Sequence, residues 1–223
     1  MELEELMDID IEVQTNIKEL QILQIWFSSS FPIGSYAYSH GLEAMIDNKY
    51  IKDENDLLNF INVLVNHGTL KNDYIFIKKT YEGYDLNDLV LANASCKERY
   101  IETISLGNSF RKILKESWNF VIEEGTAYPI CIGRAGLFFK ISFDKIITFY
   151  FQSFISNLVN VCIKHIPLGQ KVGQDCIYKS VKIIEKFLKK SKNLDLNDIG
   201  GITFNLDLQS IKHETLSSRV YIT

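Results

Sequence analysis

Four histidines, four cysteines and a scatter of serines are the side chains with the means for nucleophilic or metal chemistry, and their spacing supports neither. His40, His67, His165 and His213 stand alone in sequence, with no HxH, HExxH or Cys–His pairing that would turn two ligands toward one ion. Cys96, Cys131, Cys162 and Cys176 lie at least fourteen residues apart without a CxxC, so they read as small core hydrophobes in a reducing compartment. Ser28, Ser29, Ser30 and Ser35 lack the GxSxG turn that exposes a nucleophile, and serines beside a turn commonly cap helices. Gly169-Gln170-Lys171-Val172-Gly173 sets a lysine between glycines, but a phosphate cradle needs GK[ST], and GxGxxG is absent as well. The sequence therefore predicts no catalytic, cofactor-binding or metal-ligating residue and no cofactor.

Bulk properties narrow the class further. At 223 residues, 46% hydrophobic and with 14 Phe and 11 Tyr, the chain can fill one substantial core without disulfide or metal staples. A net charge of -4 is the wrong sign for non-specific nucleic-acid binding, which relies on basic side chains displacing counterions from phosphate. The first seventeen residues carry six acidic side chains and no Lys or Arg, unlike a secretory or mitochondrial leader. No run of 18 apolar residues is present, so no membrane span is expected and a cytoplasmic location follows.

The elements that would position these residues are helical. Pro32, Pro129 and Pro167 are the only prolines, each set between apolar-periodic segments. The pattern predicts an acidic flexible arm over residues 1–17, a buried helix over 17–27, and another over 39–48. A helix capped by Asp53 or Asp56 carries Leu57, Leu58, Ile61, Leu64 and Val65, and the spacing continues past a bend near Gly68 to Tyr81. Further helices are expected over 85–94 and 97–118. The clearest is 143–165, with Ile147, Tyr150, Phe151, Phe154, Leu158, Val161 and Cys162 in one stripe and Ser142 placed as N-cap. Lys179, Lys182, Lys186 and Lys189 recur on one face opposite Val181, Ile184 and Leu188; Glu185 favours a solvated face of a core helix over a membrane or acidic-partner surface. After Gly200-Gly201 the pattern is mixed: Ile202, Phe204, Leu206 and Leu208 alternate like a strand. The whole reads as an all-α, single-domain bundle of roughly eight to ten helices over 18–195, with a C-terminal docking tail over 196–223.

Three segments stand out as shaped surfaces. Phe31-Pro32-Ile33-Gly34-Ser35-Tyr36-Ala37-Tyr38-Ser39-His40-Gly41-Leu42-Glu43 combines a fixed φ at proline with two glycines that allow otherwise forbidden backbone conformations. Ile166-Pro167-Leu168-Gly169-Gln170-Lys171-Val172-Gly173-Gln174 breaks one helix and opens the next, with Gln170 and Gln174 one turn apart. It serves either as an inter-helix corner or as a contact surface. His213-Glu214-Thr215-Leu216-Ser217-Ser218-Arg219-Val220-Tyr221 reads equally as a docking tail or as a last element packed on its own core.

Taken together, these segments resemble the urease accessory protein UreF family, which pairs (F/L)P(I/V)G(S/G)(Y/F)xxSxGLE with a later PLGQxxGQ and ends in HExxxxRL(F/Y). Here they stand as FPIGSYAYSHGLE at 31–43, PLGQKVGQ at 167–174 and HETLSSRVY at 213–221, with Val220 in place of the usual leucine. Cys96-Lys97-Glu98-Arg99 leading to Leu106-Gly107-Asn108, and Tyr128-Pro129-Ile130, fit the same pattern. The resemblance implies an all-α fold and a non-enzymatic role in urease maturation. It implies assembly with the scaffold accessory protein UreD (UreH in some bacteria) and the nickel-carrying GTPase UreG, nickel delivery to apo-urease, and a homodimer. The residues that carry it onto a partner or dimer surface are Pro32, Gly34, Ser35, Tyr36, Ser39, Gly41, Leu42, Glu43, Pro167, Leu168, Gly169, Gln170, Gln174, His213, Glu214, Arg219 and Tyr221, with Tyr36 and Arg219 the first to test. A rival reading makes the chain a GTPase-activating component in which Arg99 or Arg111 reaches the nucleotide of UreG. Another makes it a helical interaction module unrelated to nickel.

Overall fold

The computed structural model describes residues 2–166, 168–201 and 220–222, with side chains described from residue 14 onward. Its described residues form nine α-helices, a few single turns of 3-10 helix and no strand. The helices are α1 (Glu2–Trp26), α2 (Leu42–Asp47), α3 (Glu54–His67), α4 (Thr69–Tyr81), α5 (Asn87–Ala92), α6 (Lys97–Trp118), α7 (Tyr128–Phe138), α8 (Phe143–His165) and α9 (Gly169–Lys190). The strand-like alternation at 202–208 and the bulk of the predicted tail lie outside the described residues.

Helix α8 is the axis of the bundle. Ile147, Tyr150, Phe151, Leu158, Val161 and Cys162 of the predicted stripe are buried and Phe154 is partly so. It touches α1, α2, α3, α4, α7 and α9. By length and composition alone this helix could cross a membrane, contrary to the expectation from unbroken apolar runs. Threonine, serine and asparagine interrupt the run without lowering its overall apolarity, and its neighbours bury half of the most apolar stretch. Ser142 occupies its N-cap position without a capping side-chain bond; instead the Ser142 N–H donates to Glu19 Oε2 of α1 at 3.1 Å. Lys145 meets the same carboxylate at 3.0 Å, which ties α1 to the start of α8.

Local signals explain most boundaries. Asp53 caps α3, accepting from the N–H groups of Asn55 at 2.8 Å and Asp56 at 3.0 Å. Gly68, in an extended conformation, separates α3 from α4. Pro129 sits in the first turn of α7, where its missing N–H costs nothing. Gly133 lets α7 lie against α4, since a Cβ there would come within 2.7 Å of Thr80 Cβ and 3.0 Å of the Ile77 carbonyl.

Two expectations need correction. The burial of α1 is narrower than predicted: Leu23 and Trp26 are fully buried and Ile22 nearly so, while Ile17, Leu20 and Ile25 stay exposed. Trp26 anchors an aromatic cluster, with Phe110, Phe139 and Trp118 ring centroids at 5.5, 5.7 and 5.8 Å. On α9 the inward stripe is Gly173, Cys176, Ser180, Ile184 and Phe187, so Val181 faces out, beside the four solvated lysines.

Candidate functional site

The opening segment between α1 and α2 is pinned from beneath. Phe31 and Ile33 are buried and Pro32 between them is exposed, so the proline rides on two apolar anchors. Gly34 (φ 75°) then reverses the chain into the 3-10 turn Ser35–Ala37. Tyr36 projects from this turn with 71% of its surface exposed, while Tyr38, Ser39, Gly41, Leu42 and Glu43 are buried. The segment's small and acidic residues therefore shape its surface from within, and Tyr36 and Pro32 present it.

A buried polar network holds the segment's far end. His40 (φ 56°) and Gly41 (φ 77°) are consecutive left-handed residues, a conformation unfavourable for a side chain with a Cβ unless its surroundings enforce it. His40 stacks on Phe154 of α8 at 4.2 Å between centroids. Its Nδ1 receives the Arg99 guanidinium, which also donates to Glu102 Oε1 at 2.5 Å. The same His40 Nδ1 lies 2.9 Å from Glu102 Oε1, and burial lowers the His40 pKa while the Glu102 charge and hydrogen bond oppose that shift. Asp73 of α4 accepts from the Tyr150 hydroxyl of α8 at 2.7 Å. Burial pushes the Asp73 carboxyl up to about 6, opposed by the Tyr150 hydrogen bond and the Arg99 charge. Asp73, Arg99 and Thr103 form a partition between two small cavities, one beneath His40 and Phe154 and the other running to Asn72, Asn93, Ser95 and Gly200.

The second segment begins where α8 ends. The Ile166 N–H closes the last turn on the Cys162 carbonyl at 2.8 Å; Pro167 lies outside the described residues. Leu168 is partly buried, Gly169 opens α9 at φ 72°, and Gln170 and Gln174 are exposed. Gln174 shares a broad surface groove with Ser35 of the opening segment, together with Gln24, Gln152, Asn157 and Asn160. No charged side chain lines that groove, and Asn157 donates to Ser35 Oγ across it at 3.2 Å.

Of the third segment, His213, Glu214 and Arg219 lie outside the described residues. Tyr221 is buried against the ring of His165, 5.5 Å between centroids. Its N–H and that of Val220 meet the Glu43 carboxylate. The fold thus brings parts of all three segments to one side of α8.

Chemically reactive groups are committed elsewhere. Cys131 and Cys162 are thiols pushed up to about 12 by burial, hence protonated and unreactive at neutral pH. All four cysteines are unpaired, and Cys96 alone is partly exposed, at the start of α6. No cluster of three metal-ligating side chains occurs among the described residues. Arg111 is held by Glu124 at 2.9 Å and by Asn108 at 3.1 Å. Sequence reasoning missed Asp73, Glu102 and Tyr150 as a network with Arg99. A signal was present: Glu98, Glu102, Leu106, Phe110 and Leu114 recur every fourth residue, placing two acids on the buried face of α6.

A family model of UreF matches residues 51–180, more than half of the chain. The urease accessory protein UreF of Roseobacter denitrificans is 30% identical over 203 residues, covering 89% of this chain and 91% of its own length. Those of Methylobacterium radiotolerans and Jannaschia sp. are 31% and 32% identical, covering 89% and 90% of this chain and 94% and 93% of theirs. With a matched family model, an all-α fold and relatives aligned along nearly its whole length, the chain belongs to the UreF family of urease accessory proteins.

Proposed function

We propose that the chain is a non-enzymatic adaptor of urease maturation. It assembles as a cytoplasmic homodimer with a UreD/UreH-type scaffold and the GTPase UreG, and the assembly loads nickel into apo-urease. The observation that carries this reading is the division of labour in the opening segment. Its polar and charged groups turn inward to fix the backbone, while Tyr36 and Pro32 face solvent on a preset turn. A large, rigid, exposed aromatic on a preorganised loop suits protein contact, because little conformational freedom is lost on binding. The surface comprises the exposed parts of 31–43, the Gln170–Gln174 face and the chain's end around Arg219.

The GTPase-activating alternative draws no support from its candidate arginines. Arg99 is paired with Glu102 and His40 and lies in the field of Asp73; Arg111 is paired with Asn108 of its own helix and with Glu124 beyond that helix's end. An arginine finger has to reach out of its own protein into another's nucleotide site.

Reconstitution tests the reading: apo-urease, nickel, UreG and the scaffold protein are combined with and without this chain. Nickel-dependent activation should require it, and truncation after Gly201 should abolish capture by either accessory partner. Full activation in its absence, or normal assembly of the truncated chain, would overturn the adaptor role.

A further inference from the structure

The larger of the two cavities beside Asp73, about 140 Å3, has no part in the adaptor reading. Three helices wall it. Asp73 and Phe76, one turn apart, come from α4, Val90 comes from α5, and Arg99 comes from the first turn of α6. Asn93 and Ser95, in the connection between α5 and α6, also line the cavity and are exposed, so it opens to solvent beside them. The walls are of two kinds. Phe76 and Val90 are buried members of the smaller apolar cluster, together with Leu86, Ala127 and Ile130. Asp73 and Arg99 carry opposite charges and act on each other electrostatically, yet they do not pair directly. Arg99 is held by Glu102 and His40, and Asp73 by the Tyr150 hydroxyl. Opposite charges kept apart on neighbouring helices are costly to enclose, since charges taken out of water are ordinarily paired. A guanidinium has five donors and a carboxylate about four acceptor sites, so the contacts that hold each group leave it capacity for more.

We propose that this cavity binds a small zwitterion, a free aliphatic α-amino acid, with its carboxylate on Arg99, its ammonium on Asp73 and its side chain against Phe76 and Val90. The volume favours a ligand of this size, being well below the roughly 300–1,000 Å3 of sites for drug-sized molecules. Charge selects the class. A plain carboxylate attracted by Arg99 is repelled by Asp73, and a plain amine meets the reverse. A molecule that carries both charges a short distance apart satisfies both walls, so the same pair that attracts the zwitterion rejects single ions. The site stands independently of the adaptor role.

Titration of the full chain with valine, followed by backbone amide NMR, tests the site. Isovalerate and isobutylamine serve as analogues that keep one charge each. Valine should shift the amides of Asn93, Ser95 and Gly200, which line the cavity, and saturate with a dissociation constant on the order of 1 mM, reasonable for so small a ligand. Each analogue should bind at least about tenfold more weakly, because like charges brought together are strongly penalised. Asp73→Asn keeps an oxygen for Tyr150 and removes the charge. It should weaken valine by about tenfold or more while leaving isovalerate unchanged or tighter. Isovalerate or isobutylamine binding as well as valine would reduce the cavity to a site for a single ion and overturn the proposal. Undiminished valine binding in Asp73→Asn would overturn it too, as would amides that do not move, which leave the cavity to water. If Asp73→Asn fails to fold, the analogue series on the unaltered chain decides.

Discussion

Replacing Asp73 by asparagine should stabilise the protein at neutral pH, and the gain should shrink in mild acid. The Asp73 carboxyl titrates at about 6 in the fold against an ordinary 3.8. A folded-state value above the unfolded one means that the native state binds the proton more tightly. The favourable contribution is complete below 3.8 and is lost as pH rises through about 6. At pH 7.5 the fold must therefore carry an ionised carboxylate that it would hold more easily as the acid. The difference corresponds to at most ~3 kcal/mol at about 1.4 kcal/mol per pH unit. Asp73 is only partly buried and faces cavities, so we reduce the expected effect to roughly 1–2 kcal/mol. Asparagine keeps an oxygen for the Tyr150 hydroxyl and omits the charge. Urea unfolding of both proteins at pH 7.5 and at pH 4.5 gives the double difference, in which other titrations cancel. Asp73→Asn should be more stable at pH 7.5, with a margin at pH 4.5 that has shrunk by more than half on its way to parity below 3.8. An asparagine variant equally destabilised at both values would refute the reasoning, since Asp73 would then matter for geometry rather than for charge.

Other consequences of the same structure can be checked by denaturation. Arg99→Ala removes a cation that pairs with Glu102 and acts on Asp73 and should cost about 3–5 kcal/mol, as buried pairs do when one partner is deleted. Gly133→Ala forces a Cβ against Thr80 and the Ile77 carbonyl and should cost about 1–3 kcal/mol by overpacking the contact between α4 and α7. Tyr36→Ala, at an exposed position, should leave stability within about 0.5 kcal/mol while weakening partner capture.

Much of the fold was legible because its helices bury regular stripes and carry local stop signals. The bounds 97–118 and 143–165 follow from periodicity alone, and Asp53 and Gly68 mark their helix ends by their own chemistry. Where neighbours decide, the sequence reading fell short. Ser142 looked like a cap, yet its N–H is met by Glu19 from another helix, a partner 123 residues away. Val181 looked inward on α9, but the side that packs against α3 and α8 is set by Gly173 and Cys176, whose small size allows close approach. In the site, the opening segment was legible as a shape and Tyr36 as its exposed feature. The inward roles of His40 and Glu43 were not, because each depends on a residue from a distant part of the chain: Arg99 for one, Val220 and Tyr221 for the other.

The most direct test of the adaptor account is co-purification of tagged chain with UreG and the UreD/UreH-type scaffold, wild type beside Tyr36→Ala. The account predicts that the wild-type chain retains both partners and that the folded Tyr36→Ala variant loses at least one of them. A wild-type chain that elutes alone under conditions where urease is activated would contradict it.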